Sequence, residues 1–201
     1  MTEIEQDKKI QELEAEILAL KGIKKDKSKA FSDVSEKYLK KLKIIEQNFS
    51  DNYFNNWFNN NIIISDDTEN FLKNLLKKYS KFLSKYNEDT LKMKFIGLIL
   101  ERVEFFNMEL RISDFYHSPL SFKNDKINFN GFCDFCVAKG LNEAEKPYFF
   151  IQEYKPSKKG DDPEPQLLAE LISAVELNDW KEIRGAYNIG VIWNFVILEK
   201  L

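Results

Sequence analysis

The run Pro147-Tyr-Phe-Phe-Ile-Gln-Glu-Tyr-Lys155 constrains this chain more than any other stretch. From Tyr148 to Ile151 it is an unbroken aromatic and β-branched series, the mark of a strand buried on both faces. Side chains alternate along a strand, so Phe149, Ile151, Glu153 and Lys155 share one face while Phe150, Gln152 and Tyr154 share the other. One core face therefore ends in an acid followed two residues later by a base. Charges at the mouth of an apolar strand cost several kcal/mol unless they find partners. An isolated Glu-x-Lys at a strand end is usually a surface ion pair, so its meaning depends on what lies near it.

Nineteen residues upstream of Glu153, Asp134 sits in a second strand-like run, Asn130-Gly-Phe-Cys-Asp-Phe-Cys-Val-Ala138. Asp is depleted in strands and rarely buried alone. The intervening Lys139–Pro147 segment is polar and turn-rich, so the two runs read as a hairpin. Antiparallel neighbours can bring Asp134 and Glu153 face to face with Lys155 beside them. Two carboxylates that close repel unless a cation lies between them. Oxygen-only ligands suit Mg²⁺ or Mn²⁺ rather than zinc.

An acid on one strand, then about twenty residues later an apolar strand ending Glu-x-Lys, resembles the PD-(D/E)XK nuclease superfamily in order, spacing and strand context. The resemblance spans roughly residues 90–198. It implies that Asp134 and Glu153 are metal-ligand acids, with the Tyr154 carbonyl as a further ligand and Lys155 as the catalytic lysine. It also implies a catalytic role for Gln166, on the helix after the strand, and a metal-ligating role for Glu101, on the helix before the sheet. Cys133 stands where the family name has proline. The implied activity is Mg²⁺-dependent (or Mn²⁺-dependent) endonucleolytic hydrolysis of nucleic acid, with DNA favoured. Lys158, Lys159 and Arg184 are weaker candidates for phosphate contacts.

Two rival functions stay open beside this one. The first is a nuclease-like fold that binds DNA or a protein partner without cutting. The second is an interaction module whose helices up to residue 86 carry the function.

Charge is distributed in a way that suits the nuclease expectation, although the net value of −3 does not advertise a nucleic-acid binder. Residues 21–48 hold nine Lys against four acids and residues 71–95 seven Lys against two, whereas the chain from residue 96 onward is acidic. An acidic half suits a metal site, and a lysine-rich half can contact phosphates or simply be a solvated helix face. The first twenty residues carry Glu, Lys and Gln throughout and no apolar run approaches bilayer length, so the expectation is a cytoplasmic protein with neither secretory signal nor membrane span.

Cys133 and Cys136 are the only cysteines. At i and i+3 in a strand they should point to opposite faces, which disfavours a disulfide. A redox or half-zinc motif would need a helix N-terminus or a second ligand pair, so buried thiols are expected. The single histidine, His117, lies before Pro119 in an expected turn and reads as structural.

The predicted architecture is α/β: a restriction-endonuclease-like core with a central mixed sheet flanked by helices, over residues 87–201, preceded by a helical region over 1–86. Within the latter, Ile10, Leu13, Ile17 and Leu20 form a short coiled-coil seam (4–20) that can make a homodimer or lie on its own domain. A helix is expected from about Ser32 to Asn48, one from about Asp66 to Lys85, and one capped at Asn87-Glu-Asp-Thr90 with Met93, Ile96, Leu100 and Val103 as its apolar stripe. Between the first two, seven Asn interleaved with five aromatics over 48–61 can stack on nucleobases or, the favoured reading, pin themselves to the core by their rings. Strands are expected at 109–115, 127–138 and 147–155, then a helix burying Leu167, Leu171, Ala174 and Val175, then closing strands at 185–190 and 191–198.

Overall fold

A computed structural model describes residues 28–46, 48, 51–156 and 162–200. The expected coiled-coil seam at 4–20, with the dimer it would make, and the loop lysines Lys158 and Lys159 lie outside the described residues.

The fold is α/β, built on a mixed six-stranded sheet with helices on both faces. The strands are β1 (Lys29–Ala30), β2 (Ile112–Lys123), β3 (Asn128–Lys139), β4 (Glu145–Lys155), β5 (Glu182–Ile189) and β6 (Ile192–Glu199). The helices are α1 (Glu36–Leu42), the single turn α2 (Asn55–Phe58), α3 (Asp66–Tyr79), α4 and α5 (Glu164–Asn178). Helix α4 is composite: Glu88–Leu91, a π turn at Lys92–Ile96, then Gly97–Leu100.

The expected hairpin forms, with β3 and β4 antiparallel. Helix α5 then carries the chain across to β5, which runs parallel to β4, and β6 returns antiparallel at the edge. Strand β2 lies along one edge of β3 for almost its whole length. The other edge is shared: β1 pairs in parallel with Phe129 and Asn130, and β4 takes over only from Phe135. The sheet is therefore split just ahead of Phe135, and Asp134 stands in the split.

Local chemistry fixes the helices that flank this point. Ser65 caps α3 by accepting from Thr68 N–H, with Asp66, Asp67 and Glu69 in the first turn and Lys77 and Lys78 in the last, both favourable to the helix dipole. Asn87 caps α4 in the same way, accepting from Thr90 N–H at 2.9 Å. Helix α5 starts after Pro163 and stops where Asp179 enters the left-handed region at φ 54°. Leu75, Leu91, Phe95, Ile96 and Leu100 from α3 and α4 pack with Phe135, Val137 and Tyr154 on one sheet face. Leu39 from α1 and Leu167, Leu171, Ala174 and Val175 from α5 pack with Cys136, Ile151 and Ile183 on the other. Strand β4 is thus buried on both faces, as its sequence requires.

Helix α5 lies close on the sheet because residue 185 is glycine. A Cβ there would come within 2.9 Å of the Ile151 carbonyl oxygen and about 3.0 Å of Leu171. A carbonyl held in the β4 ladder cannot retreat, so Gly185→Ala is expected to lower the unfolding free energy by about 1–3 kcal/mol in urea titrations. An unchanged midpoint would show that α5 can shift at no cost.

Several expectations are corrected. The turn at His117-Ser-Pro-Leu is absent: β2 runs straight through it, and the reversal comes at Asn124, whose side chain accepts from Lys126 N–H and Ile127 N–H. His117 sits in the strand at φ 51°, its ring stacked on Phe132 at 4.4 Å. It is structural, although not in a turn. Cys133 and Cys136 fall in the same core cluster rather than on opposite faces, and the Cys133 thiol donates to the Ser118 carbonyl at 3.4 Å. The β2–β3 ladder skips the rung between His117 and Asp134, and the distortion there rotates Cys133 inward. Both thiols are free and buried; the neighbouring Cys136 thiol and then burial push the Cys133 thiol upward, keeping it protonated.

Met93 and Val103 are exposed, not part of the α4 stripe. The buried positions are Leu91, Phe95, Ile96 and Leu100, a wider spacing that the π turn accommodates. Helix α3 ends at Tyr79, with a separate 3₁₀ turn at Leu83–Lys85, and α1 spans only Glu36–Leu42. The Asn-aromatic segment pins itself by its rings: Trp57 meets Phe150 and Phe195 edge-on, and Phe58 meets Phe195.

Candidate active site at the split in the sheet

The β3–β4 ladder reaches Phe135↔Gln152 and stops. The next rung would pair Asp134 with Glu153, and here side chains take over the backbone bonding. Asp134 N–H donates to Glu153 Oε1 at 3.3 Å, and Tyr154 N–H donates to Asp134 Oδ2 at 3.0 Å. Each acid thus accepts from the neighbouring strand's backbone, which orients both carboxylates without a metal and leaves oxygen lone pairs to spare.

Helix α5 supplies a third carboxylate from behind. Glu170 is fully buried, and its Oε1 accepts from Gln166 Nε2 at 3.1 Å. Glu153 is equally buried. Glu153 Oε2 and Glu170 Oε2 have no hydrogen-bonding partner if both groups are ionised. A proton on Glu170 donated to Glu153 satisfies the pair, and the shifts follow that logic. Burial first, then the Asp134 charge, pushes Glu153 up to about 8, with the Glu170 hydrogen bond and the Lys155 charge acting in the opposite sense. Burial first, then the Glu153 charge and the shared hydrogen bond, holds Glu170 well above the usual carboxylate range.

From the opposite face α4 supplies a cation. The Lys92 ammonium donates to Asp134 Oδ1 at 2.7 Å and to Glu88 Oε1 at 2.7 Å, and lies over the Tyr154 ring at 5.4 Å from its centroid. Burial acts to lower the Lys92 pKa, but hydrogen bonds to Asp134 and Glu88, with their charges, outweigh it and raise it. The ammonium is therefore fully charged at neutral pH. Lys92 opens the π turn, whose N–H from Gly97 closes on the Lys92 carbonyl. A Cβ at Gly97 would stand 2.9 Å from that oxygen, so the turn that aims Lys92 depends on the missing side chain.

Of the residues singled out in sequence, Asp134, Glu153, Tyr154 and Gln166 converge, and Lys155 is near enough for its charge to act on Glu153. Glu101 does not join them: it is exposed at the end of α4, with its charge felt at Tyr116. The α4 acid that reaches this neighbourhood is Glu88. Arg184 lies three residues back along β5 from Tyr187, the partner of Glu153, or about 10 Å away. There it donates to Glu182 and covers the Trp57 ring.

Lys92, Glu88 and Glu170 were not picked out from sequence. Glu88 and Lys92 at i and i+4 look like any helix-surface pair. Glu170 had a faint signal, one turn beyond Gln166 and the one charged residue among the buried positions of its helix.

No protein-family model matches the chain, and no curated protein matches it, so the chemistry rests on the residues themselves. Among the described residues no group of three or more His, Cys, Asp and Glu side chains is poised to hold a metal ion, and no helix is long and apolar enough to cross a membrane. The oxygen donors still suit a hard cation. Mg²⁺ commonly uses only one or two protein carboxylates and keeps its waters, and Glu153 Oε2 and Glu170 Oε2 accept from no N–H or hydroxyl among the described residues.

Proposed function

We propose that this protein is a metal-dependent nuclease with a restriction-endonuclease-like core, hydrolysing phosphodiester bonds in nucleic acid, with DNA favoured. One observation carries the reading: where two strands part, the carboxylates of two acids nineteen residues apart each accept a backbone N–H from the neighbouring strand, Glu153 from Asp134 and Asp134 from Tyr154, with a lysine two residues after Glu153. A purely structural sheet gains little from one buried and one half-buried carboxylate set side by side, and apolar side chains would replace them at little cost.

Asp134 and Glu153, with the Tyr154 carbonyl, would hold Mg²⁺ or Mn²⁺. When bound, the ion lowers the pKa of a coordinated water and neutralises charge on the phosphate. The remaining work belongs to the chain. Lys155 orients the attacking water and stabilises the negative charge that builds on the phosphoryl oxygens. Gln166 holds Glu170, and through it Glu153, in one orientation. The layer that carries Lys92 also carries exposed lysines 73, 77, 78, 81, 85 and 94, which suit a polyanionic substrate.

The test is cleavage of supercoiled plasmid by the purified chain in 5–10 mM Mg²⁺, roughly the metal level at which weak sites fill, against an EDTA control, with single-stranded DNA and RNA in parallel. Metal-dependent nicking or linearisation is expected, and intact nucleic acid in every metal-containing reaction would remove the proposal. The second reading, a nuclease-like fold that binds without cutting, draws on the Lys92–Asp134 ion pair. An ammonium that never left Asp134 would keep the metal out.

A further inference from the structure

The acid that the proposed reaction needs most is already neutralised by the protein itself. Asp134 is 14% exposed at its side chain, and its Oδ1 is occupied by an ammonium 24% exposed, which Glu88 grips from the other side. Lys92 follows Glu88 by one helical turn and opens the π turn that runs on to Ile96. It is not needed to satisfy Asp134 Oδ2, which Tyr154 N–H already bonds. What it adds is charge neutralisation at the oxygen that faces α4.

We infer that Lys92 is an exchangeable internal cation: its ammonium holds Asp134 Oδ1 in the metal-free protein and is displaced from it when a divalent ion binds there. The inference rests on the nuclease reading, since it presumes that Asp134 is a metal ligand. An ammonium and a hydrated divalent ion cannot both sit within bonding distance of one carboxylate oxygen without strong repulsion. Glu88 makes the exchange reversible, because the displaced ammonium keeps one carboxylate partner and stays at the rim instead of being lost to solvent. Asp134 thereby remains charged and oriented before metal arrives, at the cost of a weaker grip on the metal. Metal loading becomes competitive with a group in the chain.

The experiment uses the full chain, with Mn²⁺ as the probe. Lys92→Met is expected to bind Mn²⁺ between about tenfold and a hundredfold more tightly than wild type in EPR or calorimetric titration, the value of one charge-assisted hydrogen bond no longer competing. Lys94→Met, on the same helix but exposed and placed over the Tyr86 ring, controls for the loss of one positive charge and should shift affinity less than about threefold. In wild-type protein the Lys92 side-chain ¹⁵N resonance, assigned by its absence from Lys92→Met or Lys92→Arg, is expected to be slow-exchanging without metal and to move as Mg²⁺ is added. This second measurement does not depend on a variant binding metal. Equal or weaker Mn²⁺ binding by Lys92→Met, or a Lys92 resonance indifferent to saturating Mg²⁺, overturns the inference while leaving the nuclease reading standing. Absence of Mn²⁺ binding from wild type and variant alike would overturn both.

Discussion

Replacing Asp134 with Asn is expected to lower Mg²⁺-dependent plasmid cleavage by about 10³-fold or more, and to abolish Mn²⁺ binding in the same range of metal concentration. The substitution is nearly isosteric. The Asn carbonyl can still accept from Tyr154 N–H, and Lys92 retains Glu88, so the local fold has no reason to open. The expected thermal midpoint therefore stays within a few degrees of wild type, which separates a chemical loss from an unfolded one. Lys155→Ala should behave differently. Its ammonium is not among the proposed metal ligands, so Mn²⁺ binding should persist while the cleavage rate falls by about 10²–10⁴-fold. Cleavage at wild-type rates by either variant would remove the residue from the mechanism. Loss of Mn²⁺ binding in Lys155→Ala would make that lysine structural.

The division between what could be read from sequence and what could not follows the reach of the interactions. The β3–β4 hairpin was legible because strand alternation and turn composition are local, and the two acids fall on one rung once the hairpin is drawn. The α5 face was legible for the same reason: Leu167, Leu171, Ala174 and Val175 recur at helical spacing and are buried. Pro119 and His117 misled because turn-forming residues also occur inside an edge strand, where Pro has no ladder bond to lose and one positive φ is absorbed by a skipped rung. The π turn in α4 has no sequence signature of its own, so Met93 was expected inside and Lys92 was not expected at the site. Glu101 and Glu88 are thirteen residues apart on one composite helix, and only the packing of α4 on Phe135, Val137 and Tyr154 decides which end lies beside Asp134. Sequence periodicity thus located the acids of the sheet, while the partners supplied by helices required the tertiary fold.

The buried Glu153–Glu170 pair makes the metal-free protein less stable as pH rises. Glu153 has a native pKa of about 8 against about 4.5 when exposed in the unfolded chain. Between those values the native state holds a proton that the unfolded state has released, so the unfolding free energy falls with increasing pH through that window and levels off above it. The stabilising contribution of the protonated form is complete below about pH 4.5 and lost by the time pH passes 8. Its size is on the order of 3–5 kcal/mol for Glu153, and Glu170, held well above the usual carboxylate range by burial and then by the Glu153 charge, acts in the same direction. Glu153→Gln keeps the shape and removes the charge. In EDTA, the variant is expected to match wild type at pH 5.5 and to unfold at a higher temperature than wild type at pH 8.5. Millimolar Mg²⁺ at pH 8.5 should recover much of the deficit in wild type, because a cation bound to the ionised pair stabilises the native state alone, and should do little for the variant. Differential scanning fluorimetry over pH 5.5–8.5, with and without Mg²⁺, reads all four conditions. A wild-type midpoint that holds steady relative to Glu153→Gln across that range would mean the carboxyl pair is solvated and freely ionised, which is incompatible with its complete burial between β4 and α5.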